Sequence, residues 1–217
     1  MQLVSVNVSP QPAPGSHARA SRTGIYKVAV QGRVKVGQAG VEHDFIADQK
    51  NHGGPDQAVY VYGTVDYEWW DGELGKDLEP GTFGENLTIS DLESAALSIG
   101  DRLRIAGLTL EISAPRFPCS TLARRMGDSK FSGKFRRAER PGVYCRVIAP
   151  GLVQAGDLVS LEPYDGETLS VLQMFREYYL HTKDEAALRR SLRAPISQRA
   201  RTAIEQQLRE VVSPGRS

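Results

Sequence analysis

Cysteine is nearly absent from this sequence of 217 residues: Cys119 and Cys145 are the only two. Two thiols do not make a disulfide scaffold, and their scarcity argues for a reducing, cytoplasmic setting. There is no Cys-x-x-Cys pair, and the four scattered histidines offer no zinc spacing. No apolar run is long enough to cross a bilayer. Met1 to Val8 alternates like a strand and lacks the basic start and apolar centre of a signal peptide. An excess of either charge is missing too. Lys and Arg number 27 against 26 Asp and Glu, a net charge of +1, so no global field draws the molecule to nucleic acid or to an anionic membrane. What remains is an ordinary globular composition, 40% hydrophobic and 24% charged. The length suits one good-sized domain, or a main domain with a small appendage.

From residue 1 to about 163 the dominant pattern has period two, punctuated by turns. It predicts strands over Leu3–Val8, Ile25–Val30, Arg33–Val36, Ala58–Tyr62, Asn86–Ile89, Arg102–Ile105, Leu108–Ser113, Val143–Ile148 and Leu158–Leu161. Gln31-Gly32 and Ala106-Gly107 read as tight hairpin links. Short helices are expected over Val65–Leu74 and Ser120–Met126. Gly100-Asp101 and Gly156-Asp157 both enter strands from similar corners. Many short strands with regular turns predict a mainly β fold, a closed or nearly closed barrel with a few short helices.

After Glu162-Pro163 the character changes, which divides the chain into a β domain over 1–163 and a three-helix bundle over 164–217. Ser170-Val-Leu-Gln173 and Thr182-Lys-Asp-Glu185 match the capping box. Apolar residues from Ile196 to Val212 recur at helical spacing, and Pro214-Gly215 closes that helix. Basic and acidic residues nearly balance along these helices, which argues against DNA binding.

Four segments carry candidate chemistry. Cys119 lies at a strand-to-helix junction in Pro115-Arg116-Phe117-Pro118-Cys119. There a thiol faces the open end of a sheet, near the positive end of a helix and between arginines at 116, 124 and 125, all of which favour the thiolate. A small buried hydrophobe is the equally weighted alternative. Cys145, inside a strand pattern, reads as packing. Lys27, within Ile25-Tyr26-Lys27-Val28-Ala29, is either an outward edge guard or a point charge in a barrel mouth. His52-Gly53-Gly54-Pro55 is a shaped loop in which an imidazole and backbone N–H groups can meet an anion, or a plain surface loop. Phe83-Gly84-Glu85-Asn86-Leu87 presents polar ends at a strand start, with Asn86 suited either to a heterocycle edge or to an ordinary turn. Beyond Cys119, Arg124 to Arg140 forms a basic stretch whose glycines 127 and 133 suggest a mobile loop, either a solvated face or a phosphate binder.

In that order, Lys27, His52-Gly53-Gly54-Pro55, Phe83-Gly84-Glu85-Asn86-Leu87 and Pro115-Arg116-x-Pro118-Cys119 resemble the pattern of the MOSC family, domains named for the C-terminal region of molybdenum cofactor sulfurase. The likeness covers most of residues 1–163. The helical tail resembles the 3-alpha extension of the YiiM-like branch, linked to resistance to 6-N-hydroxylaminopurine. The resemblance implies a barrel-like fold carrying molybdenum cofactor, a molybdopterin whose dithiolene sulfurs hold the metal. Cys119 is then the catalytic residue and the protein's thiolate ligand to the soft metal. Arg116 and Lys27 neutralise the pterin phosphate, while His52, Glu85 and Asn86 line the pterin or the open metal position. One stretch departs from the family: Gly40-Val41-Glu42-His43-Asp44-Phe45-Ile46-Ala47-Asp48 stands where a Gly-Asp-x-Gln-x-Asp run is expected.

The activity so implied is reduction of N-hydroxylated compounds, such as hydroxylaminopurines, hydroxylamines or amidoximes. Electrons must come from a separate donor protein, because two cysteines cannot hold an iron–sulfur cluster. The basic 124–140 stretch or the helical tail is the candidate docking surface. A sulfur carrier with a Cys119 persulfide is the first rival, and a passive cofactor-binding module the second. Pyridoxal phosphate is not expected, since Lys27 is already assigned to phosphate.

Overall fold

The computed structural model describes residues 1–9, 23–46, 53–180 and 184–212. In chain order it contains β1 (Leu3–Val8), β2 (Val28–Ala29), β3 (Val34–Gly37), β4 (Gly40–Val41), β5 (Val59–Gly63), α1 (Thr64–Leu74), β6 (Leu87–Ile89), β7 (Arg102–Ile105), β8 (Leu108–Pro115), α2 (Ser120–Arg125), α3 (Phe131–Ala138), β9 (Val143–Ala149), β10 (Gly151–Val153), β11 (Val159–Glu162), α4 (Val171–Tyr178), α5 (Glu185–Arg193) and α6 (Gln198–Val212). Eight strands form one sheet in the order β11-β7-β8-β9-β5-β6-β1-β2, and β10-β3-β4 form a second. Only β5 and β6 run parallel, and α1 supplies the crossover that such a pair needs. The fold is mainly β, as expected.

The barrel is not closed by a continuous ladder. The end strands meet instead at a seam, where Gln2 bridges Leu158 and Leu3 exchanges backbone hydrogen bonds with Asp157 and Gly156 at 2.8 Å each. The Ala106-Gly107 hairpin forms with both residues at positive φ. The two Gly-Asp corners are also alike: Asp101 accepts from the Ser98 N–H and Asp157 from the Gln154 N–H.

Two expectations fail near the N-terminus. The strand over 25–30 shrinks to Val28–Ala29, because residues 23–27 turn away to line a cavity. Nor is Gln31-Gly32 a hairpin link. With Gly32 at φ +82, the chain leaves β2, paired with β1, and enters β3, paired with β10 and β4 in the other sheet. The stretch expected to be a mobile basic loop holds α3. Phe131 and Phe135, one turn apart, are buried, while Arg136 and Arg137 face water.

The core has two parts. An aliphatic one fills the sheet interior and takes in Leu169, Val171, Leu188, Ile196 and Ile204 from the tail. The tail is also stitched to the sheet by backbone hydrogen bonds, Val171 to Leu97 and Ser197 to Ser113. An aromatic part lies under α1, α2 and α3, where Trp70, Phe83, Phe131 and Phe135 pack with Tyr62 and Tyr67. Ser170 caps α4 by accepting from the Gln173 N–H at 3.0 Å, as its capping box predicts. Asp184 caps α5, and Thr182 lies outside the described residues.

Candidate functional site

Where β8 ends, the chain passes through Arg116 and Cys119 into α2. Beside it lies a cavity of about 300 Å³, at the small end of the range for ligand pockets. Lys27, Asn86, Arg116 and Cys119, separated by up to 92 positions in sequence, all line it. Tyr60 from β5 and Tyr144 from β9 form aromatic wall, and Arg124 and Thr121 from α2 stand at the cysteine side.

Cys119 is half-buried and occupies the N-cap position of α2 in extended conformation. That helix has only six residues, so its dipole adds little, and the positive charge beside the thiol is that of Arg116. Arg116 is 4% exposed. Burial works against its charge, but Tyr60, Tyr144 and Cys119 around it more than offset this and leave its pKa above the ordinary value. The guanidinium sits over the Tyr60 ring at 5.2 Å and the Phe135 ring at 5.8 Å. Its Nη1 is buried and has no hydrogen-bond partner among the described residues. An orphaned donor on a buried cation is costly unless a ligand completes it.

Lys27 is a buried charge in the wall, which settles its two readings against the edge guard. It is paired with Asp44, and burial lowers its pKa against the pull of that carboxylate. Asp44 also accepts from Asn86 Nδ2 at 2.8 Å and from the Ser9 N–H at 2.8 Å. The stretch that departs from the family run therefore supplies the residue that organises this wall. Asn86 is spent within the protein as well, its Oδ1 accepting from the Tyr60 N–H at 3.1 Å.

Glu85 does not line the cavity. It is fully buried behind the wall, where Oε1 accepts from the Gly81 N–H, Tyr67 Oη and Thr88 Oγ1 at 2.6, 2.6 and 2.9 Å. Burial raises its pKa. Its position shapes the turn that carries Gly84 and Asn86. Gly84, at φ +79, lets the turn approach within 2.9 Å of Ile25 Cγ1, measured from where a Cβ would stand. His52 lies outside the described residues. Cys145 is packed in β9, its thiol pushed up by burial.

Sequence reasoning missed Tyr60 and Tyr144 as wall residues, because in a strand pattern an aromatic reads as core. It named Arg124 only as part of a basic run.

The profile of the MOSC domain matches residues 48–160. The chain belongs to the MOSC family. Protein YiiM of Escherichia coli strain K12 is 33% identical over 134 residues, 60% of each chain. The crystal structure of YiiM from Geobacillus stearothermophilus superimposes with a TM-score of 0.78 at 26% identity, covering 95% of this chain and 98% of that one. A Gibberella moniliformis protein named "Reductase" is 30% identical over 178 residues, 73% of this chain but 32% of that protein. This MOSC chain is of the YiiM-like branch. No helix among its described residues is long and apolar enough to cross a membrane.

The chemistry of the site agrees with the cofactor that the family name suggests. The orphaned Arg116 Nη1 suits an anionic group, and Cys119 in the same cavity is a soft donor. Among the described residues no three His, Cys, Asp or Glu groups come together, so a metal here would bring most of its ligands with it. The residues present fit a phosphate-bearing, dithiolene-held metal.

Proposed function

We propose that this chain is a molybdenum-cofactor-dependent reductase of N-hydroxylated compounds. One observation carries the reading: a buried arginine with an unmatched donor shares a cavity with a half-buried cysteine. Arg116 faces the cofactor phosphate, and Cys119 gives a thiolate to the metal. The Lys27–Asp44–Asn86 network adds no spare charge; it fixes the wall, while Tyr60 and Tyr144 exclude water from one side. When bound, the cofactor supplies two-electron chemistry that accepts oxygen. In the net reaction the N–O bond breaks, an N–H bond forms and the oxygen leaves as water. Two protons and two electrons are consumed, the electrons coming from a separate reduced redox protein in the cytoplasm.

The test uses protein from a host that makes the cofactor. Molybdenum by elemental mass spectrometry and pterin by fluorescence are compared in wild type and Cys119→Ala, with turnover of 6-N-hydroxylaminopurine by dithionite. Near-equal metal and pterin in wild type, with metal lost in the variant, is expected. Absence of pterin from both overturns the reading, and an extra sulfur on Cys119 by intact mass moves it to sulfur carriage.

A further inference from the structure

Charge is unevenly spread over this nearly neutral chain. Residues 115–140 hold eight basic and two acidic side chains, which leaves nineteen basic against twenty-four acidic elsewhere. Much of the excess is uncompensated. Arg125 is spent on the Thr82 and Gly81 carbonyls, Arg140 on Asp66 and Glu93, and Lys134 on Asp128. Arg124, Lys130, Arg136 and Arg137 are exposed, and none has a carboxylate partner among the described residues.

Contacts connect this face to the mouth of the cavity by two routes. Arg124 lines the cavity and also a shallow groove between α2 and α3, with Ser120 and Ser132; next to Ser132, the Arg137 guanidinium folds over Gly133. Phe117, two residues before Cys119, stacks on Tyr178 at 3.9 Å and meets Tyr179 edge-on. Arg136 lies over the Tyr179 ring at 4.1 Å. Tyr178, 59% exposed, leaves an aromatic face open beside these arginines. Exposed Arg and Tyr around an opening are the groups that proteins use for docking.

Resting on the reductase reading, we infer that this α2–α3 face with Tyr178 is the docking site of an acidic-faced, electron-donating redox protein. Small electron-transfer contacts rely on charge for steering and turn over quickly, which suits a few unpaired arginines around an aromatic centre. Nucleic acid fits less well. A long polyanion would run off the patch onto a remainder that is net acidic, whereas a compact acidic face stays within it.

The experiment compares cofactor-loaded wild type with the double variants Arg136→Glu/Arg137→Glu and Lys130→Glu/Arg137→Glu, folding being checked by circular dichroism. Each is driven by a reduced flavodoxin with an acidic face, or by dithionite, at low and high salt. Binding of oxidised flavodoxin is measured separately by calorimetry. The expected result is a tenfold or greater loss of donor-driven kcat/KM and of binding in the variants at low salt. Dithionite-driven turnover stays within twofold, and the wild-type salt dependence is lost. Donor-driven turnover and binding that ignore the charge reversals overturn the docking site alone. So does a wild type that dithionite drives and the flavodoxin does not. So does loss of binding to a labelled single-stranded RNA while donor turnover holds, which reassigns the face. No dithionite-driven turnover in wild type overturns the reductase reading, and the docking site with it.

Discussion

Lys27 and Asp44 form an ion pair inside the cavity wall, with side chains 6% and 3% exposed. A buried pair costs desolvation on both sides, so it is better understood as a device for position than as a source of stability. Here Asp44 ties Lys27, Asn86 and the Ser9 backbone to one point.

Asp44→Asn strands the lysine charge. The expected loss is about 3–5 kcal/mol in denaturant unfolding at neutral pH. Lys27 already has a lowered pKa from burial, so its folded state binds fewer protons than the unfolded chain between the two pKa values. Stability from this group therefore rises with pH there, and the deficit of the variant should shrink as pH approaches the ordinary lysine range. Adding Lys27→Met should recover much of the loss at pH 7. A double variant no better than the sum of the singles would show that the pair is not coupled.

Glu85 has the opposite sign. Its folded pKa is raised by burial, so the stability it lends is complete below the unfolded value and is lost as pH rises through the folded one. Glu85→Gln imitates the protonated acid and keeps the acceptor at Oε1. Its stability relative to wild type should climb as pH rises from about 4. A difference that stays flat with pH would mean that Glu85 ionises in the fold without penalty.

Arg116→Met is expected to separate stability from binding. Methionine keeps the apolar contact with Tyr60 and Phe135 while removing an unmatched buried donor. Loss of the hydrogen bond to buried Tyr144 opposes that gain, so unfolding of the ligand-free protein should change by no more than about 1 kcal/mol, and bound pterin should fall sharply. A large loss of stability would instead make Arg116 a structural residue.

The two thiols should differ in alkylation. Cys119 is half-buried and Cys145 fully buried. Iodoacetamide on native, cofactor-free protein should add one label by intact mass, on Cys119 after digestion, and two after unfolding. Native labelling of Cys145 would mean that β9 opens readily.

The frame was legible because strand periodicity and turn glycines are local: β1 and β7 have the expected bounds, and the Ala106-Gly107 hairpin forms as expected. Residues 25–27 misled because an apolar run with a lysine reads as edge strand, and only the distant Asp44 explains why that lysine turns inward. The α3 helix was hidden by Gly133 and its basic residues. Its signal is two phenylalanines one turn apart, whose burial depends on Trp70 and Phe83 from elsewhere in the chain. Motif order placed Arg116, Asn86 and Lys27 at one cavity with Cys119, but it could not tell a lining residue from Glu85, one position away and facing the other side of the turn.

The seam between Leu3 and Asp157 sets a timetable for the molecule's birth. The first strand leaves the ribosome more than 150 residues before its last partner, so the Leu3 end of β1 keeps backbone groups open to water through most of synthesis, although β2 and β6 can pair with the strand earlier. The wall holding Lys27 and the loop holding Cys119 do not depend on that contact, because β8, β9, β5, β6 and β1 already join them through the sheet. The seam is thus the last stitch, drawn over a site whose two walls the inner strands can bring together before it.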